Sequence, residues 1–494
     1  MKGLRTDGEW LQQKMKKKVC AIGAGMAGLA AARELRREGH EVTVLEQSGD
    51  VGGQWLYDPA TDEADPLGAL GPVKVHSSMY ASVRLISPRE TTGFTDFPFA
   101  TMDGRDNRRF PGHREVYLYL KDFCDAFGLM DAVRLNTKVL RVAMTPSRRQ
   151  WTVRSVGLTD ADDKKEEVFD AVVVATGHYS QPRFPTIQVG MEKWRGRQMH
   201  GHSYREAEPF RGQVVVVVGT GESGKDITME LRDVAKEVHI VARSMEDVTP
   251  GLSKVLAKYS TNLHLKLNLE RLCEEGRVVF GDGSVVVADA VIYCTGYNYS
   301  FPFLDTAGAV TIDDNRVGPL FEHVFPPSLA PSLSFVGIPR KVFAPRFFET
   351  QGRWVAQVLS GKRTLPTEEE MLRSVEEFYR ARESAGVPKK YTHEIGGHDR
   401  TYMDEFGEKY CDFPRLERWK YELLVSSVTN MIDNFETFRD DYQDSDSILK
   451  GVQEWQLSAR HRAAARTSTA VTGLLEESRT VITDMQQLSV ISPG

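Results

Sequence analysis

The chain lacks any uninterrupted apolar run of the ~18 or more residues that a membrane-spanning helix requires. Its apolar stretch Val19–Ala32 is divided by three glycines, so no membrane span is expected. The opening MKGLRTDGEWLQQKMKKK is basic but has no apolar signal core. Residues 1–14 read as an extension before the first strand. A positive charge excess is missing too: 63 Lys+Arg against 69 Asp+Glu leave a net charge of −6. That argues against a nucleic-acid binder, which needs a positive field to engage phosphates. Cysteine is scarce and scattered. Cys20, Cys124, Cys273, Cys294 and Cys411 show no CxxC or CxxxxC spacing, which excludes a disulfide framework, a zinc ribbon and a redox-active dithiol. A reducing, cytoplasmic location is expected. His393-Glu394-Ile395-Gly396-Gly397-His398 is one residue too long for HExxH, and its two glycines weaken the helix that motif needs. No metal site is expected.

What is present is the mix of a globular protein, 41% apolar and 27% charged over 494 residues. The length suits two or three domains. Two segments share one grammar of β-branched run, glycine turn, helix-forming stretch and second strand. The first is Val19–Glu46, with strand VCAIG, turn AGMAG, helix LAAARELRREG and strand HEVTVLE. The second is Gln213–Arg243, with strand VVVVVG, turn TGESG, helix KDITMELRDVAK and strand EVHIVAR. Strand–helix–strand order implies parallel pairing, hence an α/β fold of two Rossmann-like dinucleotide-binding domains. Two further runs, FDAVVVATGHYS (169–180) and ADAVIYCTGYNYS (288–300), end in Thr-Gly turns and close the first and second units. These boundaries place an FAD domain at 15–178 plus 292–455, with an NADPH domain inserted at 179–291. TDADDKKEE (159–167) reads as an exposed hairpin loop. From 456 to 494 the chain turns Ala-, Ser- and Thr-rich without aromatics and reads as a polar tail.

The first turn is Gly23-Ala24-Gly25-Met26-Ala27-Gly28. Gly23 permits the tight turn, Gly25 lets backbone approach a pyrophosphate, and Gly28 brings helix close to strand. The helix N-terminus offers free N–H groups and partial positive charge. Glu46 ends the next strand, where a carboxylate can bond a ribose. Gly52-Gly53-Gln54-Trp55 then follows. Its glycines would let a loop run close under the cofactor, with Gln54 reaching a flavin edge, so the first site is assigned to FAD. The second turn, Gly219-Thr220-Gly221-Glu222-Ser223-Gly224, differs at its strand end. Arg243 stands where an NAD site places an acid. A guanidinium binds a 2′-phosphate that a carboxylate would repel. Lys225 adds positive charge, which favours NADPH.

Trp194-x-Gly196-x-x-x-His200-x-x-x-Tyr204 precedes the second turn. This resembles the FxGxxxHxxxY signature of flavin-containing monooxygenases, with Trp at the Phe position. ATGHYSQP (175–182), SPRETTGFTDFPF (87–99), RRFPGHREV (108–116) and FVGIPRK (335–341) match that family in order. The resemblance runs from about residue 18 to about residue 440 and is greatest to the plant branch, which lacks a C-terminal membrane anchor. It implies a reaction in which NADPH reduces FAD and the flavin captures O2 as a C4a-hydroperoxide. A soft sulfur or nitrogen nucleophile then takes the distal oxygen, and NADP+ stays bound to shield the hydroperoxide. The flavin carries the chemistry while the protein supplies orientation and dryness. His200, Tyr204 and His178 are expected to pack domain junctions rather than to act on substrate. Gln351, in FFETQGRW, matches a glutamine near the flavin ring.

One position departs from the family pattern. In YASVRLISPRE (80–90), Ile86 stands where many members carry Asn two residues before the Pro. An amide there can bond the hydroperoxide or NADP+, and a butyl side chain cannot. Either Ser87 or a backbone N–H replaces it, or the enzyme leaks H2O2. Ile86 prompts one competing reading, an uncoupled NADPH oxidase, and a Baeyer–Villiger monooxygenase, which shares the hydroperoxide but carries a different signature, is another. A disulfide reductase fails for want of a cysteine pair. A cofactor-binding regulatory protein without turnover conflicts with the intact turns. The sequence names neither the substrate nor the oligomeric state, and homo-oligomerisation stays open.

Overall fold

The computed structural model describes residues 15–147, 150–160, 162–184, 189–396 and 400–459. The proposed extension at 1–14 and residues 460–494 of the proposed tail lie outside them. Residues 446–459 are helical with Trp455 and Ala459 buried. The helix therefore runs through the expected boundary at 455/456, because apolar side chains on both sides of it are covered.

Two five-stranded parallel sheets form the frame. In the first, Leu333–Phe335, Ala171–Val174, Lys18–Ile22, Glu41–Leu45 and Val133–Arg134 lie side by side in that order. In the second the order is Leu263–Leu267, Glu237–Ala242, Val214–Val218, Ala290–Tyr293 and Arg197–His200. The inner strands AVVV and AVIY are buried throughout, as expected of parallel strands covered on both faces.

Ahead of the helical residues 446–459 come α1 (Met26–Arg37), α2 (His113–Ala126), α3 (Glu222–Leu231), α4 (Pro250–Lys258), α5 (Ala344–Leu359), α6 (Glu368–Ser384), α7 (Arg400–Cys411) and α8 (Arg418–Asp433). Alanine and leucine give α1 its helical preference, and Arg36 and Arg37 complement its C-terminal dipole. α1 packs so closely on α5 that a Cβ on Gly352 would lie 2.9 Å from the Ala31 Cα. α3 ends at Leu231, earlier than the pattern KDITMELRDVAK suggests. Beyond it the chain bonds to the strand entrance instead, with Gly212 N–H donating to the Val234 carbonyl and Lys236 N–H to that of Gln213.

Three expectations need correction. Lys164–Phe169 is a strand, not part of a loop, paired antiparallel with Trp151–Gly157. The cross-strand partner Arg154 for Glu166, and an ion pair from Arg134 of the first sheet to Glu167, let so charged a run stay extended. The boundary at 291/292 cuts the strand Ala290–Tyr293, whose two neighbours both belong to the second sheet. The chain leaves that sheet only after Tyr293 and pairs Tyr297–Asn298 with Gln181–Pro182 at the crossing. Finally, residues 433–440 do not belong to the first unit alone: Phe438 packs on Phe110 and Asp440 pairs with Arg84 of that unit, while other residues reach the second. Lys254 bonds the Asp433 carbonyl, Arg232 and Lys258 meet Glu436, and Arg439 meets Asp226. Sequence distance hid this because the partners are some 200 residues apart.

Among the described residues, no helix is long and apolar enough to cross a membrane. All five cysteines are free thiols.

Candidate functional site

The two glycine turns have nearly the same construction. Gly23 has φ of 101°, and a Cβ on it would lie 2.7 Å from the Ala175 carbonyl oxygen. Gly219 has φ of 116°, with the Cys294 carbonyl oxygen 2.6 Å from the same imagined atom. A side chain on Gly28 would overlap the Gly23 carbonyl, and one on Gly224 would overlap that of Gly219. In each unit the residue before the Thr-Gly turn, Ala175 or Cys294, therefore walls the glycine turn. Glycine is needed here because left-handed backbone and helix–strand approach coincide.

Both turns deliver an uncapped helix N-terminus. α1 begins after Gly25 and α3 after Gly221, and neither has a side-chain cap. Free N–H groups there form an anion site. The surroundings differ. Met26, Ala27 and Gly28 are buried. The Gly52–Gly53 loop closes on the turn, with Gly52 N–H donating to the Ala24 carbonyl at 3.0 Å. Gly53, at φ 56°, passes so near that a Cβ on it would lie 2.8 Å from the Gly25 Cα. Around the second turn Gly221, Glu222 and Ser223 are exposed, Thr220 is half-buried, and nothing faces Gly221 within 4 Å.

Glu46 is buried beside the first turn. Its Oε2 accepts the Ala24 N–H at 2.7 Å and its Oε1 the Ser48 N–H at 2.8 Å. Gln54 and Trp55 sit half-buried on the short helical turn Gly53–Trp55. Trp55 packs on the first core, and the Gln54 carbonyl accepts the Ser77 hydroxyl at 3.5 Å. Gln351 on α5 is 0% exposed, and its Oε1 accepts the Gly337 N–H at 3.1 Å. Gly337 in turn abuts Ala27, so Gln351 reaches the first turn through one residue.

Arg243 follows the strand Glu237–Ala242 with its side chain 72% exposed and Asp247 3.4 Å away. The hydrogen bond it donates to the Tyr391 hydroxyl, ahead of the Asp247 charge, raises its pKa. Lys225 differs from expectation. It is buried, with its ammonium 3.5 Å from Glu222 and 4.9 Å from the Phe435 ring centre. Its charge is shared between Glu222 on its own helix and the Phe435 ring.

The signature residues hold junctions. The Trp194 ring lies where a side chain on Gly196 would be. His200 accepts the His202 N–H on Nδ1 at 3.0 Å, His202 bonds the Val75 carbonyl, and Tyr204 lies in the second-sheet core. Burial drives the pKa of His200 down to about 3 and those of His178 and His202 to about 4. These rings are neutral near pH 7. Ser87 is not free to replace an amide, since its hydroxyl pairs with Thr92 at 2.9 Å. Ile86 is exposed.

Sequence reasoning missed Thr176. Its buried hydroxyl has no hydrogen-bond partner, and its Cα lies against the Gly23 turn. The Thr-Gly dipeptide after a buried strand was the available signal. Gln351 Nε2 is likewise buried without a partner.

Residues 16–263 and 259–420 match the family model described as flavin-binding monooxygenase-like. Flavin-containing monooxygenase FMO GS-OX-like 8 of Arabidopsis thaliana is 54% identical over 445 residues, covering 89% of this chain and 95% of the relative. FMO GS-OX5 of the same plant is 45% identical over 445 residues, covering 88% and 94%. The solved structure of S-allyl-L-cysteine S-oxygenase from Allium sativum superposes with a TM-score of 0.83 at 44% identity, covering 90% of this chain and 99% of that one. With both glycine turns inside the matched residues, the chain belongs to the flavin-containing monooxygenases.

Proposed function

We propose that this protein is an FAD- and NADPH-dependent monooxygenase that transfers one oxygen atom of O2 to the sulfur of a small thioether. The observation that carries this reading is the pair of similar glycine turns, one enclosed and one open, in a single chain. An enclosed cradle suits a resident flavin, and an open one suits a nicotinamide nucleotide that binds and leaves.

The residues fit both groups. At the first cradle the free N–H groups of Gly25, Met26 and Ala27 would hold the pyrophosphate, and Glu46 the ribose. Gln351 Nε2 and the Thr176 hydroxyl are buried donors without partners. Leaving a buried donor unmade costs about 1–3 kcal/mol, so a polar cofactor edge gives them a use. At the second cradle the α3 N-terminus would hold the NADPH pyrophosphate and exposed Arg243 the 2′-phosphate. The GGQW loop excludes water from the first turn. The neutral, buried His200 and His202 keep the junction between the sheets dry and rigid. A flavin reduced by nicotinamide supplies the activation of O2. Overall, thioether, O2, NADPH and H+ give sulfoxide, NADP+ and water.

Sulfur is preferred over nitrogen because the Allium relative is an S-allyl-L-cysteine S-oxygenase at 44% identity. The test is product mass with isotopically labelled O2, NADPH and a panel of thioethers and amines. One labelled oxygen in a sulfoxide is expected. N-oxygenation alone, or NADPH consumption with no oxygenated product from any member of the panel, refutes the reading.

A further inference from the structure

Side chains on the strand Glu237–Ala242 alternate between two faces. Val238 enters the core that holds Val215, Val217 and Leu263, and Ile240 on the same face is buried. The opposite face carries Glu237, His239 and Val241, and there Val241 packs with Val216, Leu269 and Phe280. His239 interrupts that apolar layer. It is in register with His264 on the edge strand Leu263–Leu267, and the two rings stack with centres 4.9 Å apart. His239 is 4% exposed, yet neither of its ring nitrogens makes a hydrogen bond. Buried polar atoms are nearly always paired, so an imidazole in a core layer whose Nδ1 has no partner and whose Nε2 meets only a carboxylate calls for an explanation. Its Nε2 lies 3.4 Å from a Glu237 carboxylate oxygen, an edge length suited to two donors of one ion. One donor atom from each of Glu237, His239 and His264 lies within 4.8 Å of the others.

We propose that Glu237, His239 and His264 form a binding site for one divalent cation of the zinc class. Two imidazoles and a carboxylate are a donor set that Zn2+ uses, with a fourth position left for water. Hard cations such as Mg2+ and Ca2+ prefer all-oxygen shells and are poorly served here. Lys266, next on the same face of the edge strand, is the competing charge. Its ammonium bonds the Ser284 hydroxyl at 2.9 Å and stands over Phe280. Glu237 opens its strand, whereas the turn Gly219–Gly224 follows the C-terminal end of the adjacent strand. The cation would therefore tie the edge strand to its neighbour, apart from the nucleotide cradle.

The experiment uses the flavin-loaded full chain, stripped with chelator and free of any affinity tag. Co2+ serves as the spectroscopic probe and Zn2+ as the ion itself. One ion per chain is expected, with visible ligand-field absorption for Co2+ and a higher melting temperature with Zn2+. His264→Ala and Glu237→Gln should each weaken binding at least ~10-fold, since losing even an outer-shell partner costs that much. Both should retain flavin in metal-free buffer. If His264→Ala does not fold, Glu237→Gln, altered at a partly exposed position, carries the comparison. Absence of saturable one-to-one binding, affinity unchanged in the variants, or equal stabilisation by Mg2+ overturns the proposal.

Discussion

The Glu46 carboxylate accepts the backbone N–H of Ala24 at 2.7 Å, fastening the end of one strand to the glycine turn after its neighbour. A second bond from Ser48 holds the other oxygen. Hydrogen bonds to charged groups contribute about 1.5–3 kcal/mol each. Glu46→Ala should therefore lower the urea midpoint and release flavin on gel filtration. Glu46→Gln, which keeps one acceptor, should lose less. Full flavin retention in Glu46→Ala would separate this carboxylate from the cofactor.

Gly28 and Gly224 occupy equivalent places, and neither has room for a methyl group because a glycine carbonyl fills it. Backbone cannot move aside as a flexible side chain can, so the cost should exceed the ~1–3 kcal/mol of ordinary overpacking. Gly28→Ala should give colourless protein. Gly224→Ala should keep its flavin but fail to bleach with NADPH. The two outcomes are read from the visible spectrum before and after anaerobic NADPH, and an exchange of phenotypes would reverse the assignment of the cradles.

Arg243 offers an exposed guanidinium beside the second cradle. A charge-assisted pair with a 2′-phosphate is worth on the order of 10- to 100-fold in kcat/KM, the equivalent of about 1.5–3 kcal/mol. Arg243→Ala should lose that factor with NADPH and change little with NADH. Equal losses with both nucleotides would remove Arg243 from phosphate recognition.

Ile86 is exposed, and the hydroxyl of Ser87 beside it is already paired with Thr92. A donor missing from a dry site can cost ~2.7–4 kcal/mol, by analogy with oxyanion-hole deletions, and less at an exposed position such as this one. The wild type should release H2O2 for part of the NADPH it consumes, and Ile86→Asn should release less. Tight coupling in the wild type without gain in the variant ends this account.

Buried histidines tie stability to pH. His200 falls from 6.5 to about 3 and His202 to about 4, chiefly by desolvation. Between those values and pH 6.5 the unfolded chain binds more protons than the folded one, so acid favours unfolding. Stability should be flat with respect to these groups above about pH 6.5 and fall toward pH 4. Each histidine adds up to about 1.4 kcal/mol per pH unit. His200→Gln should flatten the slope by about one such contribution, measured as denaturant midpoints across the range.

The glycine turns, Glu46 and Arg243 were legible because strand, turn and helix are contiguous, and a local pattern suffices to put each residue at a strand end. The surroundings of Lys225 were legible only in part: Glu222 is three residues away, but the Phe435 ring under its ammonium is more than 200 positions away. Gln351 was recognised by resemblance, but its unpaired Nε2 depends on Gly337 taking only its oxygen. The boundary at 291/292 failed because the strand Ala290–Tyr293 belongs wholly to the second sheet.

The amino-acid order alone determined two nucleotide-binding units, their sequence along the chain and the residues that end their strands, since each follows from backbone geometry over a few neighbours. Tertiary structure alone decided that one cradle is covered and the other open. It also decided that residues 433–440 bridge the two units, and that His239 faces His264. Those outcomes depend on strand register and on contacts between distant segments. No periodicity or spacing encodes them, because the free energy that selects them exists only once the sheets have packed.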